Sequence, residues 1–304
     1  MSVRVAIIGE CMLELRQLGA VASKNTKPME MGYGGDTLNT AIYLSRAGTD
    51  VSYVTALGDD PMSHWLISQW KAEGINCDNV VLMPDSVPGM YLIDVDEDGE
   101  RSFFYWRKNS PASKMFDQQS QASAVFDSLT SYSHIYLSGI SLAILSEPAR
   151  QSLLAFLEAF HASGGSIIFD GNYRPALWQS EDAAKVAYQR MYKITSIALP
   201  TFEDESSLFG YQAATDVIDA ISQLGVPEIV VKMGSEGCLA SSKSGQQFVA
   251  SVPTTPIDTT AAGDSFNAGY LSARLSGSSV TSACRNGHTL ASKVIQHRGA
   301  IIAS

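Results

Sequence analysis

Short apolar, often β-branched runs alternate along the chain with longer stretches whose apolar positions recur at helical spacing. The strand-like runs are VAIIG (5–9), VSYVTAL (51–57), HIYLSGI (134–140), SIIFD (166–170), SIALP (196–200) and EIVVK (228–232). Helical patterns fall between them, at about Thr37 to Arg46, at 61–73 and at 148–163. Such alternation predicts βαβ units, hence an α/β fold with a mostly parallel sheet covered by helices. One region breaks the rhythm. Residues 89–107, GMYLIDVDEDGERSFFYWR, alternate with period two around Asp98-Gly99, the signature of a hairpin. With the segment CMLELRQLGA (11–20), it predicts a small β-sheet lid built from segments near 11–33 and 88–108. With no repeat, low-complexity segment or linker, residues 1–304 are expected to form one domain carrying this lid.

Composition narrows the partners. A chain of 304 residues, 45% hydrophobic, can bury a large core, and a net charge of −10 argues against a nucleic-acid or anionic-membrane partner. A small-molecule ligand fits better. Cys11, Cys77, Cys238 and Cys284 are far apart and make no CxxC or Cys/His cluster, which indicates neither a zinc site nor a disulfide framework. The five histidines likewise make no metal-ligand spacing. MSVRVAIIGE is too short for a signal core or a membrane span, and no run of eighteen apolar residues follows, so a cytoplasmic protein is expected.

The stretch DTTAAGDSF (258–266) is the most informative one. The residues after Gly263 have helical spacing, with Gly277 placed to stop the helix, so Asp264 stands at a helix N-terminus. Position alone leaves Asp264 open between an N-cap and a functional carboxylate. The neighbours favour function: Ala261, Ala262 and Gly263 carry almost no side chain, so their N–H groups and the helix dipole can hold an anion. A carboxylate beside such a nest is what phosphoryl transfer to a hydroxyl requires.

DTTAAGDSFNAG resembles the C-terminal signature of the ribokinase-like (PfkB) carbohydrate kinases, and GGDTLNTAIYLSRAG (34–48) resembles their N-terminal one. The resemblance covers the whole chain, and implies a three-layer sandwich with a small β-sheet lid. Within the family, IGECMLEL, GGDTLNT, ERSFFYWR, YLSGISLAILS, FDGNYRP and IQHRGAII look like the bacterial kinases of 2-keto-3-deoxygluconate. That likeness implies ATP-dependent phosphorylation of the sugar acid at its 6-hydroxyl, with Mg²⁺. Asp264 would be the catalytic base, and Ala261, Ala262 and Gly263 the anion hole. The common family pattern GAGD is AAGD here; alanine still offers its N–H.

Other roles follow position by position. KMGSEGC (232–238) could be a plain turn between strands; the family match makes Lys232, Gly234, Ser235 and Gly237 the loop against the nucleotide. No GxxxxGK[ST] occurs, so the phosphates need other N–H groups and Mg²⁺. Asp258 and Thr260 match positions that in some relatives help bind a monovalent cation such as K⁺. At the sugar end, Gly34, Gly35, Asp36, Asn39 and Glu14 match family sugar contacts, although Asp36 could instead cap its helix and Glu14 could be a surface acid.

Two arginines bear on which sugar. Arg107 ends the lid hairpin, and Arg174 follows strand SIIFD beside Asn172, at the carboxyl end where open α/β sheets bind ligands. A lone arginine is most often a surface pair, yet a sugar acid offers a carboxylate that a guanidinium grips with two hydrogen bonds. Arg174 fits ATP phosphate equally well, as Asn172 does. Tyr91 and Tyr105 could flank the sugar or pack the lid, whose aromatic strands suggest a homo-oligomer formed through it. The nearest rival activity is another family sugar kinase such as a fructokinase. A sugar-binding regulator without catalysis is more remote, and a nicotinamide dehydrogenase lacks its GxGxxG, since GECMLE follows the first strand.

Overall fold

A computed structural model of the chain describes residues 3–17, 25–95 and 101–303. The first half runs β1 (Arg4–Ile8), β2 (Met12–Gln17), β3 (Met29–Gly34), α1 (Asp36–Arg46), β4 (Asp50–Gly58), α2 (Pro61–Ala72), β5 (Val80–Met83), β6 (Gly89–Val95) and β7 (Arg101–Trp106). Then come α3 (Gln119–Leu129), β8 (His134–Ser138), α4 (Gly139–Ala143), α5 (Glu147–Ala162), β9 (Ser166–Asp170), α6 (Glu181–Tyr192) and β10 (Ile197–Ala198). The last part holds α7 (Phe202–Phe209), α8 (Ala214–Gln223), β11 (Glu228–Lys232), β12 (Gly237–Ser242), β13 (Gly245–Ala250), α9 (Ala262–Leu275) and α10 (Val280–Val294).

Nine strands form the main sheet in the order β13-β12-β11-β10-β9-β8-β1-β4-β5. All neighbours pair in parallel except β12, which is antiparallel to both β11 and β13. Strand alternation sends successive residues to opposite faces, and the core divides accordingly. Val5 and Ile7 of β1 join a cluster with α1, α2, α9 and α10, whereas Ala6 and Ile8 join one with α3 to α8. The result is helices on both faces of one buried sheet, a three-layer α/β architecture.

The second sheet has the order β3-β2-β6-β7. β6 and β7 pair antiparallel, with Tyr91 opposite Tyr105, and β2 joins β6 in parallel, with Glu14 opposite Tyr91. The hairpin expected over 89–107 is therefore present; its turn signal Asp98-Gly99 lies outside the described residues, as do 18–20 of the expected 11–20 segment. β3, MEMGYG, pairs with β2 to complete the sheet. Among the described residues no helix is long and apolar enough to cross a membrane, and all four cysteines are free and buried.

Candidate active site

Parallel strands end where their loops diverge, which opens a crevice at their carboxyl ends. Three charged residues stand there in succession: Glu10 just after β1, Asp170 at the end of β9 and Lys232 at the end of β11, all buried. A polar cavity of ≈ 450 Å³ lies above them, walled by Met12, Tyr91, Phe103, Tyr105 and Arg107 of the small sheet and its exit. Beside it is a cavity of ≈ 610 Å³ lined mostly by apolar groups, including Val252, Pro253, Pro256, Phe266, Ala291 and Ile295. Both cavities are lined by Thr201, Lys232, Thr259, Ala262 and Gly263, so the first turn of α9 is their common wall.

α9 does not begin as the sequence suggests. Its first residue is Ala262, and the N-cap is Ala261, held at φ 58 with no side-chain cap. Asp264 is thus inside the first turn, not a cap. An alanine in the left-handed region is strained, which is a feature of functional loops. Ala262 N–H bonds Thr259 O at 3.2 Å, while the N–H groups of Ala261, Gly263 and Asp264 have no partner among the described residues. Three donors therefore face the junction at the positive end of a helix.

Asp264 lines the polar cavity and is fixed by Asn39, whose Nδ2 donates to Oδ2 at 2.8 Å. Burial, followed by the nearby Asp36 carboxylate, pushes its carboxyl from an ordinary 3.8 up to about 8; Asn39 and Lys232 pull the other way. Asn39 Oδ1 is buried with no partner. Asp36 accepts from Asn172 Nδ2 at 2.9 Å, and its own carboxyl is also raised by burial. Asn172 has φ 40, a conformation asparagine tolerates, and it faces the polar cavity together with Arg174.

Arg107 donates to Glu10, which also accepts from Ser110 Oγ, so both oxygens of that buried carboxylate are occupied. Burial raises the Glu10 carboxyl, while Arg107 and Ser110 oppose the rise. Arg107 lines the cavity, and its Nε is buried without a hydrogen-bond partner. Arg174 is half-exposed and its Nη1 lies 3.2 Å from Asp204, a residue that also lines the polar cavity.

Several expected contacts are placed differently. Glu14 is absent from the wall of the polar cavity; its carboxylate is buried under Tyr91, whose hydroxyl donates to it at 2.5 Å. Glu10, four residues earlier, occupies the cavity instead. Gly34 is also off the wall, and its small size is explained by a Cβ there meeting the Tyr91 hydroxyl at 2.8 Å. Gly35 does line the cavity, but a Cβ would meet Glu10 O at 2.2 Å, so backbone packing alone requires glycine. Gly237, Gly234 and Ser235 line the apolar cavity, with Gly237 at φ 131 and against Val249 O.

Asp258 and Thr260 close the loop locally. Asp258 Oδ1 accepts from Thr260 N at 3.0 Å and Oγ1 at 2.6 Å, and Oδ2 accepts from Gly299 N at 2.8 Å. Among the described residues no group of three or more His, Cys, Asp and Glu side chains could hold a metal ion by itself. Sequence reasoning missed Glu10, Asp170, Asp204 and Asn267. The signal for the first two was a charge ending an apolar parallel strand, at the position where such sheets bind ligands.

Known proteins resemble this chain in sequence and in fold. The chain is 45% identical to the 2-dehydro-3-deoxygluconokinase of Escherichia coli K12, over 99% of this chain and 98% of that protein. It is 25% identical to a fructokinase of Vibrio alginolyticus, over 78% and 75%. The crystal structure of a PfkB protein from Polaromonas sp. JS666 superposes with a TM-score of 0.85 at 28% identity, covering 97% of this chain and 96% of that one. With the model of the pfkB family carbohydrate kinases matching residues 3–304, this chain belongs to that family.

Proposed function

We propose that this protein transfers the γ-phosphoryl group of ATP to the 6-hydroxyl of 2-dehydro-3-deoxygluconate, the sugar acid also called 2-keto-3-deoxygluconate. The observation that carries the reading is the meeting of a polar, charged cavity and an apolar one at the open first turn of α9, beside Asp264. The polar cavity suits a hydroxylated acid; the apolar one, with the 234–237 loop on its rim, suits a nucleotide base. Arg107 favours the acid over a neutral ketose, because a guanidinium in the cavity wall suits a carboxylate. The higher identity to the 2-dehydro-3-deoxygluconokinase than to the fructokinase supports the same choice.

The chemistry follows from the placement. Asp264 accepts the proton of the attacking hydroxyl, and a carboxyl held near 8 is basic enough for that transfer once ionised. The free N–H groups of Gly263 and Asp264 hold the phosphoryl oxygens, with Ala261 beside them. Asn39 orients the base and offers Oδ1 to a sugar hydroxyl. Bound Mg²⁺ would offset charge on the phosphates. Asp204 and Asn172 are nearby oxygen donors for an ion held chiefly by phosphate oxygens. The Asp258 carboxylate is already satisfied by Thr260 and Gly299, so a K⁺ ion there would rely on main-chain carbonyls.

The small sheet is the lid of this reading. Its Phe103 and Tyr105 face the cavity, while Phe104 and Trp106, on the opposite face by alternation, are 50% and 56% exposed. That outer face supports pairing with a second copy, which sedimentation would measure. The activity test is ADP release with 2-dehydro-3-deoxygluconate, fructose and other ketoses. The expected result is a kcat/KM for the sugar acid well above the rest; fructose as best substrate would replace this reading with a fructokinase, and no release with any sugar would leave a non-catalytic binder.

A further inference from the structure

Lys232 is the one cationic side chain among the described residues that lines both cavities. It is buried at the end of β11, where Nζ donates to Asp170 Oδ1 at 2.9 Å and to Asn267 Oδ1 at 3.1 Å. An ammonium carries three N–H groups, so one has no partner among the described residues. The Asn267 amide is locked for this purpose: its Nδ2 donates to Asp170 Oδ2 at 2.9 Å and to Tyr136 Oη at 3.1 Å, which turns Oδ1 to the lysine. A Cβ placed on Gly263 would lie 3.7 Å from Nζ, so the ammonium adjoins the open turn of α9. A purely structural ion pair would require only Asp170; this one is braced by two further residues and faces the junction.

We propose that Lys232 is a catalytic cation, whose spare N–H contacts the phosphoryl group as it passes from one cavity to the other. The inference rests on the phosphotransfer reading above. In the step, the bond between the γ-phosphorus and its bridging oxygen breaks, its electron pair staying with ADP. The sugar 6-oxygen forms the new bond to phosphorus, and the hydroxyl proton goes to Asp264. Lys232 keeps its protons throughout and offsets negative charge where that charge is in transit, as fixed cations do in other phosphoryl-transfer sites. The titratable and charged groups around Asp264 are Asp36 and Tyr43 from α1, Tyr136 from β8, Asp170 from β9 and Lys232 from β11, and Asn39 is hydrogen-bonded to it. Lys232 therefore has a second effect: its positive charge favours the ionised base.

The test is Lys232→Met, with Lys232→Met/Asp170→Asn as a partner that removes both charges and so leaves no unpaired buried carboxylate. Both variants should lower kcat by about 10²- to 10³-fold, the scale of one lost electrostatic stabiliser, with KM for the sugar changed little. The acid limb of the kcat/KM profile should move to higher pH in Lys232→Met, as the base loses a neighbouring positive charge. The ratios are measured on whichever sugar the wild-type protein phosphorylates best, so a mistaken substrate leaves them valid. Recovery of wild-type kcat in the double variant would make Lys232 only the counter-ion of Asp170 and overturn the proposal. Should wild type turn over no sugar at all, calorimetry decides: Lys232→Met should weaken Mg²⁺·AMP-PNP about tenfold relative to AMP, a lost charged hydrogen bond. Equal changes for the two nucleotides would refute the contact.

Discussion

The two cavities differ in kind although they share a wall. The polar one gathers Glu10, Asp36, Asp170, Asp204 and Asp264 against Arg107, Arg174 and Lys232, nearly all held by specific partners. The apolar one has prolines, small residues and Phe266, with Lys232 at its edge and a neutral-leaning His288 whose titration burial lowers. Recognition on the first side depends on individual hydrogen bonds, each costly to leave unmade, and on the second on shape and area, which is forgiving. Single substitutions should therefore have sharp effects on sugar and chemistry and shallow effects on nucleotide.

The largest expected effect is at Asp264. Asp264→Asn keeps an acceptor for Asn39 but cannot take a proton, so kcat should fall by about 10²- to 10⁴-fold while calorimetric binding of sugar and nucleotide stays near wild type. Full activity would remove the base from the mechanism. Next comes Arg107→Ala, which should lower kcat/KM for the sugar acid by about ten- to a hundred-fold and leave KM for ATP almost unchanged. Because it also strands the Glu10 carboxylate, Glu10→Gln/Arg107→Ala is the proper companion: the acid-to-neutral selectivity should stay low in both, and a restored ratio would assign the loss to Glu10 instead.

On the apolar side, Ile295→Ala removes about one kcal/mol of burial, so KM for ATP should rise by about fivefold with kcat held. A much larger change would contradict the contrast between the cavities. The smallest effect is thermal. The Asp264 carboxyl is raised to about 8, so the folded protein binds a proton that the unfolded chain has lost above its ordinary 3.8, and stability declines as pH rises between these values. Asp264→Asn is free of this decline. Its melting temperature should exceed that of wild type at pH 9, with the gap closing towards pH 5, and a gap independent of pH would contradict the burial argument. The same linkage makes wild-type kcat/KM rise with pH towards about 8 as the base ionises.

The βαβ order and the β6–β7 hairpin were legible because burial on both faces or on one leaves a one-dimensional pattern. β3 was not delineated, since MEMGYG has two glycines and no clean alternation, and it is a strand only through its pairing with β2. Asp264 stood out by its small neighbours, but the helix start was misplaced because Ala261 adopts a conformation that alanine rarely takes. Glu14 was named for its family position, which carries no information about which acid Tyr91 covers. The Lys232–Asp170–Asn267–Tyr136 group joins four separate elements, and no local window contains it.

The loop that carries the anion site is tied to residues later in the chain by Gly299 N–H, which holds Asp258, and α1 is tied to the same stretch by Tyr43, which donates to Ala300 O and accepts from Ile302 N. A nascent chain emerging from the ribosome can form β1, α1 and the small sheet early, yet it lacks these anchors until residue 302 has been added. Competence for phosphoryl transfer would then arrive late in synthesis, since the stretch that anchors the anion site also supplies Ala300 to the wall of the polar cavity.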